Sequence, residues 1–387
     1  MVKFLHTADW QLGMTRSFLT EEAQGRFTQA RIDAIRTMAD LAHAEGARFG
    51  VVAGDVFESN LLSPQVVARS LEAMRASGLT WYLLPGNHDP LNAASIYQQR
   101  DFLDHKPENV KVIVDHKPLS VGEGTELVGA PWSSKRPLRD LLKAALIDVE
   151  PARGVTRIAV GHGAVDALAP DKKNPANIRL ADAKKALEDG RIHYLALGDR
   201  HSSTDVDGMG RIRYSGAPEP TDYDEDRSGF SLLVDVTPQK CEVRELAVGR
   251  WRFLRETFEL SGDADVSRVR AWFDGLASKE NVIVKLGLKG ALSLQGHAEL
   301  ARTLEEARHL LGALEAWERE SQLIVRPTES DLNGLNLTGY ARAALEDIRA
   351  RAEGSRGGEQ SSEAGDALAL LYRIVQAQRA GEGQESS

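Results

Sequence analysis

Cysteine is almost missing: among 387 residues only Cys241 carries a thiol. That excludes a disulfide framework and a cysteine-built zinc site, and it suits a reducing compartment. Long apolar runs are also missing. No stretch is long enough to span a bilayer, and the opening Met1-Val2-Lys3-Phe4-Leu5-His6 has no leader-type apolar region. The expectation is a soluble, cytoplasmic protein with no membrane partner. Positive charge is in deficit, with a formal net charge of -9. Proteins that grip nucleic acid by bulk electrostatics are basic, so any such contact here has to come from local patches. What remains is globular in texture, 42% hydrophobic against 27% charged, and long enough for two domains with a sizeable core.

The most informative stretch is Leu84-Pro85-Gly86-Asn87-His88-Asp89-Pro90. The apolar run Trp81-Tyr82-Leu83-Leu84 reads as a buried strand, and Pro85-Gly86 stops and turns it. An amide, an imidazole and a carboxylate then follow on a stiff turn, which is metal-ligand and proton-transfer chemistry. Taken alone, this is equally a polar turn. The same arrangement recurs, however. Val2 to Leu5 is a strand leading to Asp9 and Gln11. If that segment stays extended, both side chains point the same way and can share a cation. Thr20 to Ala44 has the apolar stripe of a helix (Phe27, Ile32, Ile35, Met38, Leu41), with Glu21 and Glu22 in its first turn and Gly46 beyond its end. Phe49 to Ala53 is a second strand, and Asp55 follows it. Pro64 opens another helix. Arg157 to Val160 leads to Gly161-His162, and Ile192 to Leu197 leads to Gly198-Asp199-Arg200-His201, in which Asp199 and His201 repeat the spacing of Asp9 and Gln11. Strand, polar turn and helix thus alternate, with the reactive side chains at strand carboxyl ends, where α/β sheets build their sites.

Between these segments, Val110–Val114, Leu119–Val121 and Glu126–Val128 read as short strands. Lys135, Arg136, Arg139 and Lys143 form a local basic cluster, suited to phosphate contact or simply to a solvated helix start. Phe230–Val236 and Cys241–Val248 alternate as an antiparallel pair. After about Arg250 the pattern becomes a small α+β unit: strands at Phe253–Leu260, Val282–Leu288 and Leu323–Val325, helices at Asp265–Leu276 and His297–Leu311. Tyr340–Ala352 is helical. A Gly/Ser/Glu-rich linker covers 354–366, and an amphipathic helix at 367–379 is placed either to dock a partner or to pack on its own domain. The expected organisation is 1–250, 251–330, 331–353, 354–366 and 367–387.

Together the strand ends offer Asp9, Gln11, Asp55, Asn87, His88, His162, Asp199 and His201. Mixed nitrogen and oxygen donors suit manganese, iron or zinc better than calcium. There are too many for one tetrahedral ion and enough for two. Such a pair sits roughly 3.5–4 Å apart and clamps the attacking and leaving oxygens of a phosphoryl displacement. Asp55 is the natural bridge, and His88 is free to face the substrate and protonate its leaving oxygen.

The ordered set Asp9-Trp10-Gln11, Gly54-Asp55, Gly86-Asn87-His88-Asp89, Gly161-His162 and Gly198-Asp199-Arg200-His201 resembles the calcineurin-like metallophosphoesterases. Leu5-His6-Thr7-Ala8-Asp9-Trp10 and Tyr214-Ser215-Gly216-Ala217-Pro218-Glu219-Pro220 resemble the SbcD-type exonuclease subunits within that superfamily. The resemblance spans about residues 1 to 250. It implies an α/β, four-layer α/β/β/α sandwich with a small α+β cap and a helical tail, and cleavage of DNA phosphodiesters by two divalent metal ions, manganese first, with magnesium or iron as alternatives. It also implies a homodimer and an SbcC-like coiled-coil ATPase partner, which the tail helix would suit. Carried over, the first metal takes Asp9, Gln11, Asp55 and His201, the second takes Asp55, Asn87, His162 and Asp199, and His88 is the catalytic imidazole. The family has His where this chain has Gln11 and Asp199, and its nuclease branch often has His at Glu58. A neutral amide is the weaker donor and an aspartate the harder one. The first site is therefore expected to be weakened and the second shifted toward harder ions.

Three functions fit this reading: a DNA nuclease, a phosphoesterase for smaller phosphodiesters or phosphomonoesters, and a catalytically weak scaffold for an ATPase. Retention of Asp9, Asp55, Asn87, His88, His162 and His201 argues against the last.

Overall fold

The computed structural model describes residues 1–122, 124–326 and 339–354, together with residues 367, 370, 371 and 374. The linker expected at 354–366 lies outside the described residues except for Gly354, which is still helical, and so does most of the tail helix. The chain divides into two units, Met1–Arg252 and Phe253–Ser387.

The first unit begins with β1 (Val2–Thr7) and α1 (Glu21–Ala44). Thr20 starts the helix where its hydroxyl accepts the Ala23 N–H at 3.2 Å. Phe27, Ile32, Ile35 and Met38 are buried along one face. Then come β2 (Gly50–Val52), α2 (Pro64–Ala76), β3 (Trp81–Leu83), the short α3 (Arg100–Leu103) and β4 (Val110–Val112). Ser63 caps α2, and Pro64 fills its first position, where no N–H is needed. Next are β5 (Leu119–Ser120), β6 (Thr125–Gly129), α4 (Leu141–Leu146), β7 (Thr156–His162), α5 (Leu180–Glu188), β8 (Tyr194–Gly198), β9 (Thr204–Asp205) and β10 (Ile212–Tyr214). The antiparallel pair β11 (Phe230–Val236) and β12 (Cys241–Ala247) completes the unit, in register from Phe230↔Ala247 to Val236↔Cys241.

These strands make two mixed sheets, ordered β12-β11-β1-β2-β3-β4 and β5-β6-β7-β8-β10-β9. The helix-connected strands β1 to β4 run parallel, as do β6, β7, β8 and β10. Alternation along each strand sends neighbours to opposite faces. Phe4, Val51 and Val234 of the first sheet pack with Leu127, Ile158, Val160 and Tyr194 of the second. Their neighbours Leu5 and Val52 turn the other way, into a core with Ile35 and Met38 of α1 and Leu71 and Met74 of α2. Ala159 and Leu195 pack with Leu142 and Leu146 of α4 and Ala183 of α5. Each large apolar side chain so enclosed contributes roughly 1.5–3 kcal/mol. The parallel strands of both sheets end toward one cluster of loops, and the site forms there.

The second unit is a small α+β assembly: β13 (Arg252–Leu260), α6 (Val266–Asp274), β14 (Val282–Leu292), α7 (Leu294–Leu310), β15 (Ala313–Ala316), β16 (Gln322–Val325) and α8 (Gly339–Gly354). Phe258, Val269, Phe273, Val284, Leu286 and Leu300 share its core. Helix α7 starts earlier than its apolar pattern suggests, because Ser293 accepts the Gly296 N–H at 3.0 Å and so caps it. Strand β15 and helix α5 go beyond the sequence reading. Ala313–Ala316 has no β-branched residue and is a strand only through parallel pairing with β14, and α5 has no side-chain capping bond at its start.

Candidate metal centre

Asp9 and Gln11 follow β1, Asp55 follows β2, Asn87 and His88 follow β3, His162 ends β7, and Asp199 and His201 follow β8. Asp9, Asp55 and His162, all buried, each offer a ligand atom within 4.8 Å of the others. His162 Nε2 lies 2.7 Å from Asn87 Oδ1, 3.4 Å from Asp55 Oδ2 and 3.9 Å from Asp199 Oδ1. His162 Nδ1 donates to the Ala53 carbonyl at 2.9 Å. That bond orients the ring and turns Nε2 toward the three oxygens, the arrangement that orients metal-ligating histidines. One imidazole nitrogen and the oxygens of Asn87, Asp55 and Asp199 converge here, a donor set that fits a divalent cation once the imidazole gives up its proton. Asp55 lies between Asp9 and His162, with ligand atoms of all three within 4.8 Å of one another, and its Oδ1 also accepts the His88 N–H at 2.9 Å while its Oδ2 faces His162.

The other half is arranged differently. His201 Nδ1 donates to Glu225 Oε1 and Thr221 Oγ1, each at 2.8 Å. Its Nε2 faces Gln11 Nε2 at 3.2 Å, while Gln11 Oε1 is buried without a hydrogen-bond partner. The Asp9 carboxylate accepts the Asp199 N–H.

The extended geometry expected for residues 9–11 is not what the chain adopts. Asp9 has φ 53°, Gln11 45°, Asp55 52° and Asp199 96°, all left-handed. The reason is tertiary: the Asp9 N–H donates to the Gly54 carbonyl at 3.1 Å and the Gln11 N–H to the Asp55 carbonyl at 3.0 Å. The two loops are thereby laced together, and the chain has to coil to do it. The same conformation at Asp199 removes the simple same-side relation expected with His201. Non-glycine residues held here carry strain of about 1–3 kcal/mol each. Two motif glycines leave room for the cluster. A Cβ on Gly86 would come within 2.1 Å of Asp55 Oδ1, and one on Gly54 within 2.0 Å of His162 Nδ1.

Electrostatics follow from burial. Burial pushes Asp9 up to about 7, aided by Asp55 and Asp199 and opposed by His201 and His162. Burial also raises Asp199. For Asp55 burial acts upward but is outweighed, chiefly by His162, so its carboxyl falls below the usual range. Burial lowers His201, yet the Glu225 hydrogen bond and the charges of Asp9, Glu225 and Asp55 prevail and lift it to about 9. Asp9 and Asp199 forced toward neutrality and His201 forced toward charge mark a site short of positive charge.

His88 stands at the edge, with its side chain 35% exposed. Its Nδ1 donates to the Glu58 carbonyl at 2.9 Å, which leaves Nε2 facing inward, 3.9 Å from Asp55 Oδ2. Asp89 is not in the cluster. It accepts from the Gly86 N–H at 2.7 Å, the Phe57 N–H at 3.0 Å and the Tyr97 hydroxyl at 2.6 Å, and so fixes the turn that aims Asn87 and His88. Trp132 donates to the His162 carbonyl at 2.8 Å. Lys135, Arg136 and Arg139, just beyond it, are exposed, whereas Lys143 pairs with Asp182 at 2.9 Å. Sequence reasoning missed Glu225 and Thr221, which hold His201. Their only signal was their position directly after the Tyr214–Pro220 segment.

A sequence profile described as Calcineurin-like phosphoesterase matches residues 2–203, a span that contains every residue of the cluster. The SbcD subunit of nuclease SbcCD from Escherichia coli K12 is 28% identical over 277 residues, covering 62% of this chain and 66% of that one. The protein of the same name in Rhodobacter capsulatus is 26% identical over 266 residues, covering 58% of this chain and 64% of that one. The chain thus spans just under two thirds of these relatives' length. A solved structure, TT1561 of Thermus thermophilus, is similar at 12% identity and a TM-score of 0.40 over 63% of this chain and 98% of that one.

Proposed function

The chain belongs to the calcineurin-like phosphoesterase family, and from that premise we propose that it is a metal-dependent DNA nuclease of the SbcD type. The observation that carries this reading is the convergence of Asp55, Asn87 and Asp199 oxygens on the oriented Nε2 of His162. Asp55, Asn87, His162 and Asp199 would hold a divalent cation such as manganese, which when bound would supply Lewis acidity and lower the pKa of water toward neutrality. The chain's own residues do the rest. Asp9 and Asp55 provide the negative charge that retains cations. Glu58 orients His88 through its carbonyl, so that Nε2 of the imidazole is the nitrogen directed at the substrate. Protonated there, it donates to the leaving oxygen as the phosphodiester breaks, a contribution of about 10²–10⁴ in rate. Lys135, Arg136 and Arg139 give an acidic protein a local surface for the phosphate backbone.

The relatives named above are nuclease subunits, which supports polynucleotide as substrate. The reading also includes a coiled-coil ATPase partner engaged by the 367–387 tail, a homodimer, and residence in the cytoplasm. Its test is digestion of end-labelled linear duplex and single-stranded DNA in manganese, with a chelator control and His88→Ala. Manganese-dependent digestion that disappears in the variant sustains it. Hydrolysis of bis-p-nitrophenyl phosphate with DNA left intact, even when the ATPase partner is added, moves the substrate to a smaller phosphodiester.

A further inference from the structure

His88 is oriented by a bond to a loop, since its Nδ1 donates to the carbonyl of Glu58 at 2.9 Å. Glu58 lies between β2, which ends at Val52, and α2, which begins at Pro64. A carbonyl fixes a ring only as well as it is fixed itself. The Glu58 N–H is tied to the Leu12 carbonyl at 3.0 Å. On the carbonyl side, Ser59 bonds within its own segment, to the N–H and carbonyl of Leu61, and Leu61 is 84% exposed. The anchor is Asn60, which is buried and whose side-chain amide reaches the loop that carries His88. Nδ2 donates to the Pro90 carbonyl at 3.0 Å, and Oδ1 accepts the Ile96 N–H at 2.9 Å. An acceptor on one side and a donor on the other leave the amide a single orientation. The Asn60 carbonyl in turn accepts from Gln99 Nε2 at 2.8 Å. Pro90 stands two residues beyond His88, as Asn60 stands two beyond Glu58. The His88–Glu58 and Asn60–Pro90 bonds are thus successive rungs between the same two segments, and the second holds the first in place. None of the Asn60 bonds reaches a residue of the metal cluster.

We propose that Asn60 is a positioning residue for the chemistry: by holding the Glu58 carbonyl it sets the aim of His88 Nε2. This rests on the functional reading above, in which His88 protonates the leaving oxygen. Reacting groups misplaced by about 1 Å lose about 10²-fold in rate, the scale expected for a slack Glu58 carbonyl. The loss has a chemical signature. An alkoxide leaving from DNA needs a proton, whereas p-nitrophenolate leaves without one. A misaimed His88 therefore harms the first reaction and largely spares the second. A general loosening of the site harms both.

The test measures kcat and KM in manganese for DNA and for bis-p-nitrophenyl phosphate. It compares the full-length parent with Asn60→Ala, His88→Ala and the double variant. Asn60→Ala should lower kcat on DNA about 10²-fold, with KM and manganese content near the parent values and a far smaller fall on bis-p-nitrophenyl phosphate. The double variant should be no slower on DNA than His88→Ala alone, because Asn60 acts through His88. Losses that multiply in the double variant overturn the proposal. So does an equal fall on both substrates, and so does an Asn60→Ala protein that cleaves DNA at the parent rate. All three leave the functional reading intact so long as His88→Ala keeps its own loss on DNA. A parent inactive on both substrates, or a His88→Ala variant that cleaves DNA at the parent rate, removes the functional reading and the proposal together. If the parent hydrolyses small diesters but leaves DNA intact, a dinucleoside monophosphate serves as the alkoxide substrate. If Asn60→Ala does not fold, by circular dichroism, Gln99→Ala decides, since it releases the Asn60 carbonyl from the other side. A fall confined to the alkoxide substrate upholds the proposal, and any other pattern refutes it.

Discussion

The backbone N–H of Asp199 donates to both carboxylate oxygens of Asp9, at 3.0 and 3.1 Å, across 190 residues of chain. Asp9 follows a strand of one sheet and Asp199 a strand of the other, so this contact sets the spacing of the two halves of the centre. It also leaves a buried carboxylate whose neighbours include two more, Asp55 and Asp199.

The metal-free protein should therefore lose stability as pH rises. Asp9 is raised in the fold to about 7 from 3.8, so the folded state binds its proton more tightly than the unfolded chain does. Its stabilising contribution is complete below the unfolded value and disappears as pH climbs through about 7. His201, raised to about 9, acts in the same direction over a higher window. Asp9→Asn keeps an acceptor for the Asp199 N–H and removes the charge. Metal-free, it should be more stable than the parent near pH 8 by a few kcal/mol, about 1.4 per pKa unit, and close to it near pH 4. Its metal affinity should fall. Urea titrations at both pH values, with manganese binding alongside, check this.

His88→Ala should separate chemistry from metal binding. The imidazole Nε2 is 3.9 Å from the nearest carboxylate oxygen of Asp55 and is bonded to Glu58 on its other nitrogen. Hydrolysis of a DNA phosphodiester, whose alkoxide leaving group needs a proton, should fall about 10²–10⁴-fold, with the manganese content of the purified protein unchanged. Loss of metal in this variant would make His88 a ligand instead.

Asp89 should prove a stability residue with a catalytic consequence. Its removal leaves the N–H groups of Gly86 and Phe57 and the hydroxyl of Tyr97 without their acceptor. Each buried orphan costs about 1–3 kcal/mol, so Asp89→Ala should lose at least about 3 kcal/mol and much of its activity, because the turn carrying Asn87 and His88 slackens. Tyr97→Phe, which deletes one donor and orphans no backbone group, should cost about 1.5–3 kcal/mol and retain more activity. Denaturant midpoints and turnover of the two variants give the comparison.

The exposed cluster Lys135, Arg136 and Arg139 should govern DNA affinity without touching the chemistry. Replacing all three by Ala should reduce the slope of log affinity against log salt by about 2.7, at about 0.9 per lost phosphate contact. Hydrolysis of bis-p-nitrophenyl phosphate should stay at the parent rate. Binding to a labelled duplex across a salt series, fitted for the slope, decides it.

By itself the sequence determined which elements form and where reactive side chains leave them. Apolar runs of period two, a helical stripe such as Phe27–Ile35–Met38, and turn residues such as Pro85-Gly86 are local signals, because backbone geometry and burial act over a few neighbours. They placed Asp9, Asp55, Asn87, His88, His162, Asp199 and His201 at strand ends. What they could not convey is how those ends meet. The left-handed backbone at Asp9, Gln11 and Asp55 arises because one loop hydrogen-bonds another. Residues far apart in the chain bring Glu225 to His201, Asp89 to Phe57 and Gln11 to His201. Only tertiary structure decided whether each ligand-type residue keeps its lone pair free, because a lone pair is filled or left open by whichever proton the fold brings within about 3 Å.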